Sequence, residues 1–155
     1  MPVSIHNEIE IRVAAKDLFY YVTQPWLWHE WHPSSRSASA AHSFLATGDE
    51  FTEVVEGQPL APLPPRMIRK VAYTVTESVP FQTWECEGKM RDGRIRIRYD
   101  FEAKGGVTFF SRSLDLDLTG LTRILLPMMK LKMEKLSMIA LNNLKTRMQD
   151  KPDES

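Results

Sequence analysis

Between Arg69 and Leu118 the chain exchanges apolar for polar residues at nearly every step, in segments separated by short turns. In "RKVAYTVTES" Val71, Tyr73 and Val75 alternate with Lys70, Thr74 and Thr76. In "TWECEGKM" Trp84, Cys86 and Met90 oppose Glu85 and Glu87. "RIRIRYDFE" sets Ile95, Ile97, Tyr99 and Phe101 against Arg94, Arg96, Arg98 and Asp100. "TFFSRSLDLDL" aligns Leu114, Leu116 and Leu118. A period of two is that of a strand with one apolar face. The connections "RDGR" and "KGG" are tight turns, Asp92-Gly93 being a strong hairpin signal, so the strands pair antiparallel. A sheet with one solvated face needs something to cover the other.

The two ends of the chain supply that cover. "SIHNEIEIRV" alternates Ile5, Ile9, Ile11 and Val13 against His6, Glu8, Glu10 and Arg12, a strand interrupted only at Asn7. "AAKDLFYYV" then switches period, with Ala15, Leu18, Phe19 and Val22 on one side of a short helix. From Pro127 to Met148, residues Met129, Met133, Leu136, Ala140 and Leu144 recur every three or four positions. At ~1.5 Å per residue this helix spans roughly 33 Å, enough to lie across a sheet. Pro127 either opens it or kinks one that starts near Leu121. The expected class is α+β: a curved antiparallel sheet wrapped around one long C-terminal helix, with two short helices after the first strand. Residues 1–149 are expected to form one domain, followed by a polar tail at 150–155.

Composition narrows the function. Twenty basic and twenty acidic residues balance to zero net charge, unlike the basic footprint of a nucleic-acid binder. No basic-then-apolar leader opens "MPVSIHNEIE", and no apolar run approaches the ~18 residues of an integral membrane segment. Cys86 is the single cysteine, which excludes an internal disulfide and fits a cytoplasmic setting. No cofactor or metal is expected, and the sequence leaves the oligomeric state open.

The element order, with "IEIRVAAKDLFYYVTQPWLWHEWHP", "ATGDEF", "VTESVPFQTWECEG" and "ALNNLKTRM", resembles the helix-grip superfamily. This is the START-related (SRPBCC) group, in its polyketide cyclase/dehydrase and lipid-transport-like branch. The resemblance runs over nearly the whole chain and implies an apolar cavity between sheet and C-terminal helix. It implies a hydrophobic small-molecule ligand, lipid- or polyketide-like, with a cyclase, aromatase or dehydratase as the alternative. No catalytic motif of the cyclases matches residue by residue, so no catalytic residue is transferred.

On these grounds Tyr73, Val75, Trp84, Ile97, Tyr99, Arg112, Leu114 and Leu116 of the sheet are expected to line the cavity. Met129 and Met133 of the helix are expected to join them. Arg112 shares the parity of Phe110 and Leu114, so it faces inward unless a bulge shifts the strand or its end is solvated. A buried charge needs a partner; Glu53 and Glu77 have the matching parity. The methionines suit either plain core or a promiscuous apolar ligand. Cys86 reads as an inert buried thiol, and Arg94, Arg96 and Arg98 as an outer stripe paired with Glu85 and Glu87.

The segment "QPWLWHEWHP" holds three of the four tryptophans. His29-Glu30-Trp31-His32 lacks the spacing of a zinc-protease helix and enough further ligands for zinc. Trp28 and Trp31 are expected to plug one end of the core, with both histidines at the surface. His6 and His42 have no assigned facing. "GQPLAPLPPR", with Leu60 and Leu63, is either a rigid connector or a lid.

Overall fold

The computed structural model describes residues 3–57 and 66–149, so the proline-rich segment and the C-terminal tail lie outside the described residues. Seven strands form one antiparallel sheet in the order β1-β7-β6-β5-β4-β3-β2. They are β1 (Val3–Ile11), β2 (Ser35–Ala40), β3 (Glu50–Gly57), β4 (Met67–Val79), β5 (Thr83–Met90), β6 (Gly93–Lys104) and β7 (Val107–Leu118). Helix α1 (Ala15–Val22) and a 3-10 helix (Pro25–Glu30) follow β1, and α2 (Leu121–Gln149) closes the chain. This is the helix-grip α+β arrangement.

Six of the strands are joined consecutively, and the first returns to pair with the last, bringing Asn7 opposite Arg112. The alternation read from sequence sorts the two faces. Val71, Tyr73, Ile97, Tyr99 and Leu114 are buried inward, while Arg94, Arg96 and Asp117 point outward. Gly88 sits opposite Tyr73. Any Cβ there would stand 2.6 Å from Val71 Cγ1 and 2.7 Å from the Tyr73 ring, so only glycine lets that ring lie flat.

Helix α2 packs on β1 and β7. Pro127 lies inside it, with no N–H to offer the Arg123 carbonyl four residues earlier. The buried apolar side chains form a large cluster centred on the aromatic rings and a small one of Leu116, Leu118 and Leu126. At the turn after β4, Phe81 takes a left-handed φ of 68°. Its ring is held 5.7 Å from Phe19 and 5.6 Å from Tyr20.

Candidate functional site

A cavity of about 620 Å³ lies between the inner face of the sheet and the first half of α2, with walls drawn from both apolar clusters. Eight of the ten expected residues line it: Tyr73, Ile97, Tyr99, Arg112, Leu114 and Leu116 from the sheet, with Met129 and Met133 from the helix. Val75 and Trp84 share the inner face but do not reach the space. The 3-10 helix lowers Trp28 onto that part of the sheet. Its ring meets Phe51, Tyr73, Trp84 and Tyr99 edge-on at 5.6 to 6.4 Å. Trp84 is sealed there, stacked on Tyr99 at 5.5 Å, and has no exposed surface.

Polar groups gather on one side of this apolar space. Arg112 is 6% exposed, and its Nη1 donates to Ser137 Oγ at 3.2 Å. Ser137 Oγ donates onward to Asn7 Oδ1 at 2.7 Å. The break that Asn7 makes in the alternation of β1 is therefore its place in this relay. Arg112 Nε has no partner, and among the described residues no carboxylate lies within ion-pairing distance of the guanidinium. A cation so enclosed is costly unless something compensates it.

Glu53 is the inner carboxylate, 4% exposed, accepting from the Tyr73 hydroxyl at 3.1 Å. Burial pushes its carboxyl above the ordinary carboxylate value, offset in part by Ser35, Tyr73 and the positive charge of Arg112. Glu53 and Arg112 therefore sense each other's charge without contact. Burial also raises the Tyr73 and Tyr99 phenols, so both stay neutral, Tyr73 donating to Glu53 and Tyr99 accepting from the Arg112 guanidinium. His32 lines the cavity and is held down to about 3 by burial and by Arg112. Its Nδ1 accepts the Ser34 N–H at 3.1 Å, which leaves Nε2 as the protonated nitrogen of the neutral ring.

Two expectations change. Glu77 does not face Arg112: a register shift between Val75 and Glu77 reverses the parity of β4. Glu77 instead binds Arg98 on the outer face at 3.1 Å. His32 is half-buried at the cavity wall, beyond the end of the 3-10 helix, whereas His29 is exposed. His6 lies on the outer face beside Ser113 and Glu8, and His42 sits in an exposed loop.

Burial raises the Cys86 thiol far above its ordinary value, so it is no nucleophile. Among the described residues no group of three or more His, Cys, Asp or Glu is placed to hold a metal. A wider depression of about 1060 Å³ on the outer face is lined by charged groups. Of those groups, Arg96 and Asp115 pair with each other at 2.6 Å. The inner cavity, with its uncompensated guanidinium, is the candidate site.

The sequence model of the family described as polyketide cyclase / dehydrase and lipid transport matches residues 2–149. No curated protein matches the chain. Solved structures share its fold at low identity. A START superfamily protein from Mycobacterium smegmatis superposes with a TM-score of 0.72 at 11% identity, covering 95% of this chain and 97% of that one. An aromatase/cyclase from Streptomyces sp. R1128 gives 0.72 at 8% identity over 95% and 96%. A protein of Mesorhizobium loti gives 0.67 at 15% identity over 97% and 99%.

Proposed function

The chain belongs to the polyketide cyclase / dehydrase and lipid transport family, and from that premise we propose that it binds an amphipathic small molecule in the cavity under α2. The ligand is lipid- or polyketide-like, with an anionic or carbonyl end directed at Arg112. The observation that carries this reading is the buried Arg112, uncompensated by a contacting carboxylate, at the edge of a predominantly apolar space. A volume of about 620 Å³ falls in the range that encloses ligands of drug or lipid-fragment size. Burial pushes the Glu53 carboxyl toward its neutral form, which weakens the negative charge facing Arg112. Apolar contact contributes roughly 0.8 kcal/mol per buried methylene, and ten such groups sustain micromolar binding after association costs. The guanidinium then sets orientation.

Displacement of an apolar fluorescent dye tests the reading. A long-chain carboxylate is expected to displace dye at lower concentration than its methyl ester or an alkane of equal length. Arg112→Met is expected to erase that preference while dye binding persists. Equal displacement by all three compounds in the parent protein would sink the proposal.

A second reading, an enzyme of the cyclase, aromatase or dehydratase type, is favoured by one observation. Glu53, its carboxyl pushed up by burial and accepting from Tyr73, shares the cavity with a neutral histidine, a pairing suited to acid–base chemistry. Turnover of a polyketide-like substrate that Glu53→Gln abolishes, without loss of dye binding, would move this reading ahead.

A further inference from the structure

We propose that the outward face of the first half of α2 docks the protein onto the surface of an anionic lipid bilayer. Ile124, Met128 and Leu131 are 73%, 61% and 60% exposed. At ~100° per residue their spacing of four and three places them within roughly 60° of one another, and Met138 and Ile139 extend the same stripe. The stripe lies opposite Met129 and Met133, which roof the cavity, so this half of the helix is apolar on two sides. Single exposed apolar residues need no explanation, but a contiguous row of large ones marks a contact surface.

Charge selects the partner. Arg123, Lys130, Lys132 and Lys135 stand on this half of the helix with one acid, Glu134, in a chain whose charges sum to zero, so the remainder carries three more acids than bases. Lys130 and Glu134 pair at 3.8 Å. A second copy packed on this face would bring two basic rows together, whereas an anionic lipid surface complements them. Among the described residues no helix is long and apolar enough to cross a membrane, so the contact is with the surface.

Lys132, Lys135 and Met129 also line the cavity, so the docked face adjoins the site. Direct ligand exchange with the bilayer follows only if the binding reading holds; docking itself does not depend on it.

The test is flotation of the full chain with vesicles of phosphatidylcholine alone and of phosphatidylcholine mixed with phosphatidylglycerol. The parent is expected to float with the mixed vesicles and be released by salt. Leu131→Glu and Lys130→Glu are each expected to weaken that binding about tenfold or more. Dye uptake by the same variants reads the cavity separately and is expected to be unchanged. No binding to mixed vesicles, or equal binding by parent and variants, would overturn the proposal. So would a dimer in light scattering that Leu131→Glu dissociates without any vesicle binding by the parent.

Discussion

The two halves of α2 contrast sharply in how they meet the rest of the molecule. From Ala140 onward the helix is an anchor: Ala140, Leu141 and Leu144 are fully buried. Polar ties reinforce that end. Asn143 donates to the Trp31 carbonyl at 3.2 Å, Arg147 to the Glu30 carbonyl at 2.7 Å, and Gln149 accepts the Arg12 N–H at 2.9 Å. Before Ser137 the same helix is a roof, with Met129, Met133 and Leu136 over open space and Ile124, Met128 and Leu131 turned to solvent. Ser137, bonded to both Arg112 and Asn7, marks the boundary. Alanine brings helix and sheet together where the fold is held; long thioethers keep them apart where something can enter. Segments that open locally are drawn from regions with little buried apolar contact, so the roof is the half suited to admitting a ligand.

The largest effect is expected at the plug under the anchor. Trp31 is 1% exposed, and its Nε1 has no partner, so its contribution is packing. Trp31→Ala is expected to cost about 3–5 kcal/mol in urea unfolding. His29→Ala, at an exposed position of the same segment, should change stability by less than about 0.5 kcal/mol. Next comes a direct comparison of the halves. Leu144→Ala in the anchor should cost about 2–4 kcal/mol, while Met133→Ala in the roof should cost roughly 1, because its surroundings already border space. Equal costs would mean that the roof is packed as tightly as the anchor.

The sheet and the long helix were legible because their periods are unbroken: β7 alternates cleanly from Phe110 to Leu118, which carries Arg112 to the inner face. The errors arise where geometry departs from period. One extra residue in β4, at the register shift after Val75, sends Glu77 outward, and nothing in "TVTES" marks it. Val75 and Trp84 have the right facing, but whether an inward residue meets space or another ring depends on Trp28, which arrives from a different part of the chain. His32 lies two residues past the 3-10 helix, where a wheel of 3.6 residues per turn assigns it no facing. Asn7 was visible as an interruption, but its partner Ser137 lies 130 residues away.

The polar side of the cavity predicts opposing pH limbs. His32 takes up a proton below about 6.5 when unfolded and only near 3 when folded. The unfolded chain therefore binds more protons in that window, and this group makes stability fall as pH drops from 6.5 toward 3. Glu53 has its folded value raised above 4.5. Above 4.5 the unfolded chain releases this proton first, so its contribution is lost as pH rises through the folded value. Urea midpoints across pH should show a shallower acid limb in His32→Gln and a smaller loss on the neutral side in Glu53→Gln. Parallel profiles for the parent and both variants would mean that neither group titrates as its burial requires.

The smallest expected effect is at Leu131, and its smallness is what gives it value. The side chain is 60% exposed on the roof's outer side, opposite the cavity. Removing it opens no void, and a polar replacement buries no unsatisfied group. Leu131→Ser should therefore shift stability by less than about 0.5 kcal/mol, the range of exposed positions with no buried contacts. Serine lowers helix propensity relative to leucine by a few tenths of a kcal/mol, which sets the direction: slightly destabilising. The same substitution in the anchor, Leu144→Ser, adds a buried hydroxyl to a cavity and is expected to cost more than Leu144→Ala. Urea midpoints for the two serine variants thus measure the contrast along one helix with one substitution. A loss of several kcal/mol at Leu131 would show that the outward stripe is covered by the rest of the chain in solution, and would leave no free face for a bilayer.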